Sequence, residues 1–345
     1  YIQDKLSNTL VMDRDEGCIN PFMVLKELES GLKHHSLVKN EEQRKRFTDL
    51  IAVVKDEYVG PVLFEDAAAI DLFRFALLPQ LEGTPPEVPF DSFFGEMGGS
   101  GSASVRLGRR VLPLGWTVQD DPQLDPDHPS AFTHDQEGTP AQAVVPVEDG
   151  IVKSAFMSRV PRKDIGSTNG HARGSMQERL AGRASQTVVQ PDRTVKARKL
   201  HKQALKLARS YDRDWYLVVR RLQEPVARNL GSWSGWYASE ESAVNLPRPV
   251  AVFRVRADGT EEMLRGGRFA GVQRWVLRDI VAAGEPVQGS FMQAASSGDD
   301  LYGLTEGMPT WMQAPTVLVG EMELVPTPPD DKEKPVVPPP PLVAR

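Results

Sequence analysis

The residues of this chain that can hold a metal ion or move a proton are six histidines, one cysteine and 47 Asp and Glu. No pair among His34, His35, His128, His134, His171 and His201 stands four or five residues apart, the spacing that turns two imidazoles toward one ion from a single helix. His128 and His134 lie in an acidic stretch from Asp120 to Asp135, but Pro122, Pro126 and Pro129 interrupt it and its spacing fits no calcium loop. Simple turns are expected there. Asp13-Arg14-Asp15-Glu16-Gly17 has an arginine in its second position and no bidentate acid at the required distance, so it is no calcium loop either. Gly231-Ser232-Trp233-Ser234-Gly235 puts a tryptophan where a nucleophile elbow needs serine. The Gly98 to Ser104 run lacks the Gly-Lys-Ser/Thr ending of a phosphate loop and the third glycine of a dinucleotide fingerprint; a flexible loop is expected. Cys18, alone, can close no internal disulfide and build no thiolate cluster.

The elements that would position such residues fall into two kinds. Residues 41–58 and 66–78 read as helices, the second with Asp66 as its cap and Ile70, Phe73 and Leu77 on one face. Beyond them the period changes to two. Ala143–Val147 and Ile151–Ser158 flank Glu148-Asp149-Gly150, and Val250–Arg256 and Thr260–Leu264 flank Ala257-Asp258-Gly259, each pair a predicted hairpin. Trp215–Leu222 and Thr316–Val325 are further strands, and Val195–Arg209 and Val272–Ala283 are predicted helices. Strand pairs joined by tight turns with few interleaved helices predict an α+β fold, an N-terminal helical segment followed by an antiparallel-sheet domain.

The 345 residues allow about two domains. With 41 Lys and Arg against 47 acids the net charge is −6, too mild to name a partner. No apolar run reaches the ~18–20 residues that span a bilayer, so no membrane partner is expected. The chain opens on Tyr1; a removed leader would leave the same start, and the compartment is left open, a single cysteine being only in keeping with a reducing, cytoplasmic one. The last twenty residues hold eight of the 28 prolines and are expected to form an extended tail. Residues 151–210 carry fourteen Lys and Arg against three acids, a local +11 that leaves −17 to the rest. Their helix, with Lys196, Arg198, Lys199, Lys202, Lys206 and Arg209, can contact phosphates, but Phe156 is the sole aromatic of the stretch. Base stacking is poorly provided for, and nucleic acid is not the expected partner.

Five segments resemble the TldD/PmbA family of metalloprotease-related proteins, also described as gyrase modulators. They are Gly60-Pro61-Val62-Leu63-Phe64-Glu65-Asp66-Ala67-Ala68-Ala69, Ser158-Arg159-Val160-Pro161-Arg162-Lys163, Ser167-Thr168-Asn169-Gly170-His171-Ala172-Arg173, Arg265-Gly266-Gly267-Arg268-Phe269 with the helix after it, and Ala314-Pro315-Thr316-Val317-Leu318-Val319. They occur in the family's order. The resemblance divides the chain into a partial or divergent N-terminal region (1–57), a TldD/PmbA-like domain (58–325) and the Pro-rich tail (326–345).

Active members of that family carry His-Glu-x-x-x-His followed by Leu-Glu-Gly, two zinc ligands and a general base, with a later cysteine completing the site. Here the Leu81-Glu82-Gly83 anchor is kept, while Arg74 stands for the first histidine, Phe75 for the glutamate and Pro79 for the second histidine. The cysteine position falls near Leu301. An arginine repels a dication, a phenylalanine has no base and a proline side chain has no donor atom. The resemblance therefore implies a silent, PmbA-like subunit with no catalytic residue and no metal of its own, zinc being expected in a TldD-like partner chain. Residues 66–79 are expected to form a buried helix without metal. Asn169, Gly170, His171 and Arg173 are expected to line an exposed turn that meets peptide or partner. Trp233, Trp236, Tyr237 and Trp311 are expected at an interface. Pairing with itself is the rival to pairing with a TldD-like chain. A self-sufficient metallopeptidase with an unrecognised site and a nucleic-acid-associated protein are the alternative functions.

Overall fold

Tyr58–Phe64 (β2) is apolar on both faces, and the structure, a computed structural model, places it near the middle of a twelve-stranded sheet. Described are residues 52–54, 56–84, 105–174, 180–223, 246–293 and 307–327. In chain order the remaining strands of that sheet are β1 (Ala52–Val53), β3 (Thr117–Asp120), β4 (Val144–Glu148), β5 (Ile151–Val152), β8 (Gln186–Gln190), β9 (Trp215–Leu222), β10 (Pro249–Arg256), β11 (Glu261–Arg265), β12 (Gly267–Ala270), β13 (Ile280–Gln293) and β14 (Met308–Pro326). A separate two-stranded pair joins β6 (Ala172–Arg173) to β7 (Ala181–Gly182). Two α-helices, α1 (Asp66–Ala76) and α2 (Ala197–Arg209), complete the described residues, with short 3-10 turns at Leu78–Gln80 and Val276–Asp279. The fold is α+β. The sheet is mixed rather than wholly antiparallel, because β2 runs parallel to β9, β8 to β14 and β1 to β11.

The long strand β14 organises the sheet. Along one flank it pairs first with β8 at Trp311–Gln313 and then with β2 at Val317–Leu324. Along the other it pairs with β13 and then β12. From β2 the sheet continues through β9, β10 and β11, and from β8 through β3, β4 and β5. Alternation along the central strands feeds two cores. Val62, Phe64, Leu217, Val219, Val317 and Val319 face α1, whereas Leu63, Tyr216, Val218 and Leu318 face Leu200, Ala204 and Ala208 of α2. The helix α1 is buried nearly all round, with Ala68, Ala69, Leu72 and Phe73 without exposure.

Both hairpins form as the turn residues predict. Asp149 and Gly150 carry positive φ, 53° and 72°, between β4 and β5, the geometry of a two-residue turn matched to strand twist. The helix over 66–78 holds to Ala76, where Pro79 forces the 3-10 turn. Asp66 does not cap it: it is the first helical residue, at φ 48°, and Glu65 is the cap position without a side-chain cap bond.

One predicted helix is a strand instead, and so is the described end of another, whose residues 41–51 lie outside the described residues. In the 41–58 stretch the described part includes β1 and the start of β2, and Val54 N–H donates to Arg265 O. β-branched Val54 suits a place beside β11 better than a helix. In 272–283 a single 3-10 turn is followed by β13, since Gly284 and Pro286 end any helical run and the apolar length of β14 offers Ile280, Ala282 and Ala283 a ladder. The Gly98–Ser104 loop, the Gly231–Gly235 stretch, Trp233, Trp236, Tyr237, Leu301 and all but the first two residues of the 326–345 tail lie outside the described residues.

Candidate functional site

Leu81-Glu82-Gly83 explains its own sequence. Phe156 N–H donates to Leu81 O at 2.9 Å and Gly83 N–H donates to Phe156 O at 2.8 Å. A Cβ on Gly83 would lie 2.3 Å from Met157 Sδ and 2.7 Å from Phe156 O, so only glycine permits this approach. The anchor thereby fixes the end of α1 against the β5–β6 connection.

The three motif positions sit just before it. Arg74 is buried; one of its Nη2–H groups donates to Met292 O at 2.8 Å, and its guanidinium lies 4.8 Å from the Phe75 ring centroid and 4.7 Å from that of Phe291. Asp71 Oδ1 is 3.6 Å from Arg74 Nη1. Phe75 is half-buried, and Pro79 stands in the 3-10 turn, beyond the α-helix, where Gln80 Nε2 donates to Ala76 O at 2.6 Å. A guanidinium held between two aromatic rings and a carbonyl does not fit a metal ion, and neither Phe75 nor Pro79 offers a donor. Among the described residues no group of three His, Cys, Asp or Glu could hold one.

The second set of candidate residues is built differently from expectation. Asn169-Gly170 does turn with positive φ, 70° at Gly170, but it is packed: a Cβ there would meet Pro140 O at 2.3 Å. Asn169 spends its side chain inward, accepting from Met157 N–H at 2.8 Å and donating to Ala155 O at 2.7 Å. His171 has no exposed surface and Arg173 is 3% exposed, so neither lines an exposed turn. The turn aims the imidazole at Asp120, with His171 Nε2 3.1 Å from Oδ1. His171 Nδ1 lies 3.0 Å from Asn169 O, and the ring stacks on Phe156 at 5.4 Å. Asp120, also without exposure, accepts from Ser185 N–H at 2.9 Å and from the Thr187 hydroxyl at 2.6 Å. Burial pushes its carboxyl up, but His171, Thr187 and Ser185 together hold it below the usual carboxylate range. Burial pushes the Arg173 guanidinium down to about 10, with Asp120 opposing and Arg183 adding to the effect.

The two sets meet. Arg173 donates to Ala184 O and, at 2.6 Å, to Pro309 O, while Arg74 donates to Met292 O. Met292 and Pro309 are paired across β13 and β14. Two buried arginines thus clasp the two strands at one rung. Near it, Gln293 Nε2 donates to Glu82 Oε1 at 3.1 Å. Phe156 links the halves, bonded to the Leu81-Glu82-Gly83 anchor on one side and stacked on His171 on the other. The arrangement fixes strand ends with permanent cations and satisfied carbonyls.

Sequence reasoning missed Asp120, although its parity with Trp116 and Val118 along β3 marks it as inward-facing. It also missed Glu65, an acid between an apolar strand and a helix, held by His201 Nε2 at 3.0 Å and Arg220 Nε at 3.1 Å. Of the other histidines, His128 makes contacts to Ser130 and Ser290, and His134 is exposed. Gln123 N–H and Asp127 N–H donate to the carboxylates of Asp121 and Asp125, so the acidic stretch forms the turns expected of it. Trp311 is half-buried, its N–H donating from the backbone to Ser185 O.

Residues 57–220 match the model of the PmbA/TldA metallopeptidase C-terminal domain, which sets the class as a metallopeptidase-related sheet domain. Over residues 57–220, then, the chain is similar to the TldD/PmbA family. Residues 1–68 match a second model, the PrkA serine protein kinase C-terminal domain; within that stretch, residues 58–68 form β2 and the start of α1 in the sheet domain. Solved structures similar to the chain include TldE from Thermococcus kodakarensis (16% identity, 82% of this chain and 54% of that one, TM-score 0.48). A candidate modulator of a DNA gyrase from Thermotoga maritima has 16% identity over 82% of this chain and 53% of its own, with TM-score 0.49. A similar protein from Bacteroides thetaiotaomicron has 11% identity over 85% and 53%, with TM-score 0.46. The chain spans about half the length of these structures. No curated relative matches it. Among the described residues no helix is long and apolar enough to cross a membrane.

Proposed function

We propose that this chain is a catalytically silent subunit that pairs with a zinc-bearing TldD-like chain and shapes the surface on which that partner processes peptides. The observation that carries the reading is the state of Arg74. Its guanidinium occupies the position of the family's first histidine and is held by Met292 O and two aromatic rings, while the frame around it, from β2 to the Leu81-Glu82-Gly83 anchor, is intact. A site that has lost ligand, base and second ligand while keeping its packing supports a role toward another chain. Co-expression with a TldD-like chain should give a 1:1 complex with about one zinc per pair, held by the partner. A metal-free homodimer that ignores that chain in size-exclusion chromatography with light scattering would overturn the pairing. Stoichiometric zinc on the chain alone would overturn the silence.

A further inference from the structure

The helix α2 uses one side completely. Leu200, Ala204 and Ala208 are buried against Leu63, Val218 and Leu318, and His201 is committed to Tyr216 and Glu65. The other side is cationic and exposed: Lys196, Arg198, Lys199, Lys202, Lys206 and Arg209 all face solvent, and α2 holds no acid. None of the six makes an ion pair among the described residues, and the acids nearest in sequence, Asp192, Asp212 and Asp214, lie beyond the helix ends.

We propose that this face binds the phosphate backbone of double-stranded nucleic acid. Positions 199, 202, 206 and 209 repeat at steps of three and four, which puts them in one stripe about 15 Å long at ~1.5 Å per residue. A duplex presents about one charge per 1.7 Å of its axis, so the stripe is matched by a continuous run of phosphates. The helix also begins with Lys196, Arg198 and Lys199 at its positive end, with no side-chain cap and no acid in the first turn, against its own dipole. Those charges do not serve the helix. A protein partner is the poorer fit: interface cores deplete lysine and favour large apolar and aromatic groups, and apart from Ala197 the exposed residues of α2 are all charged. The scarcity of aromatics that disfavours stacking on single strands does not bear on a duplex, where phosphate contacts position a protein without reading bases.

The test is fluorescence anisotropy of the full chain with a labelled duplex of arbitrary sequence, over a salt series. Lys199→Gln/Lys202→Gln/Lys206→Gln should weaken binding at least tenfold and lower the salt slope by about 0.9 for each phosphate no longer neutralised. The matched Lys→Arg triple variant should bind as the parent does. Circular dichroism of each variant separates weaker binding from failure to fold; these side chains are exposed, and the fold is expected to persist. Unchanged duplex affinity in the Gln variant overturns the proposal. So does equal affinity for polyglutamate of matched length, which would make the stripe a docking face for acidic protein.

Discussion

Asp120 reaches its ionised state only through its partners, and losing the charge should be felt at once. Asp120→Asn leaves the buried His171 and Arg173 without their carboxylate and should cost about 3–5 kcal/mol, read from urea unfolding. The pH dependence follows from the depressed carboxyl: its contribution is complete above the ordinary carboxylate value of about 3.9 and disappears as pH falls through the lower folded value. The parent should therefore lose stability in acid more steeply than the Asn variant; parallel curves would show that Asp120 is not the acid-sensitive group. Arg74→His with Pro79→His should bring no peptidase activity and no stoichiometric zinc. Residue 79 lies beyond the end of α1, and Phe75 still stands where a base is needed. Hydrolysis of a peptide substrate with zinc retained through dialysis would contradict this.

Between β2 and α1, Glu65 ties strand to helix through its carboxylate. His201 and Arg220 hold its carboxyl below the usual range although burial pushes it up, and Tyr216 donates its hydroxyl to His201 Nδ1 at 2.6 Å. This chain of contacts ties α2 and β9 to the start of α1, which no side-chain cap secures. His201→Ala leaves the buried Tyr216 hydroxyl without that partner and should cost about 1–3 kcal/mol, measured by thermal or chemical unfolding; an unchanged midpoint would remove the tie from the account. What could be read from the sequence at this scale was local. The hairpins at Gly150 and Gly259, β9 and α2 follow from turn residues and periodicity within a dozen positions. The β13 strand could not be read so, since Ile280 to Ala283 suit a helix until β14, far along the chain, supplies their partners. The candidate site divides in the same way. The Asn169-Gly170 turn was legible from its dipeptide. That His171 points inward depends on Asp120, 51 residues away, which no local pattern connects to it.

For the molecule as a whole, β14 is the strand on which both halves of the sheet depend, carrying β8 and β2 on one flank and β13 and β12 on the other. That placement has a consequence for how the protein is made. Phe64 pairs with Val317, so a strand synthesised early waits roughly 250 residues for its neighbour, on the order of tens of seconds at ribosomal rates. During that interval the run Tyr58–Phe64, almost wholly apolar, has half its ladder open, and the entropy of closing so long a loop is set against it. Nascent chains stalled before residue 308 should therefore be digested by protease within β2 and α1 and should bind chaperones. Chains released after residue 327 should resist digestion there. Protection of β2 in the stalled chain would mean that the β9 side alone can shelter it. Otherwise this sheet is completed late, by β14, and the cell must guard β2 until then.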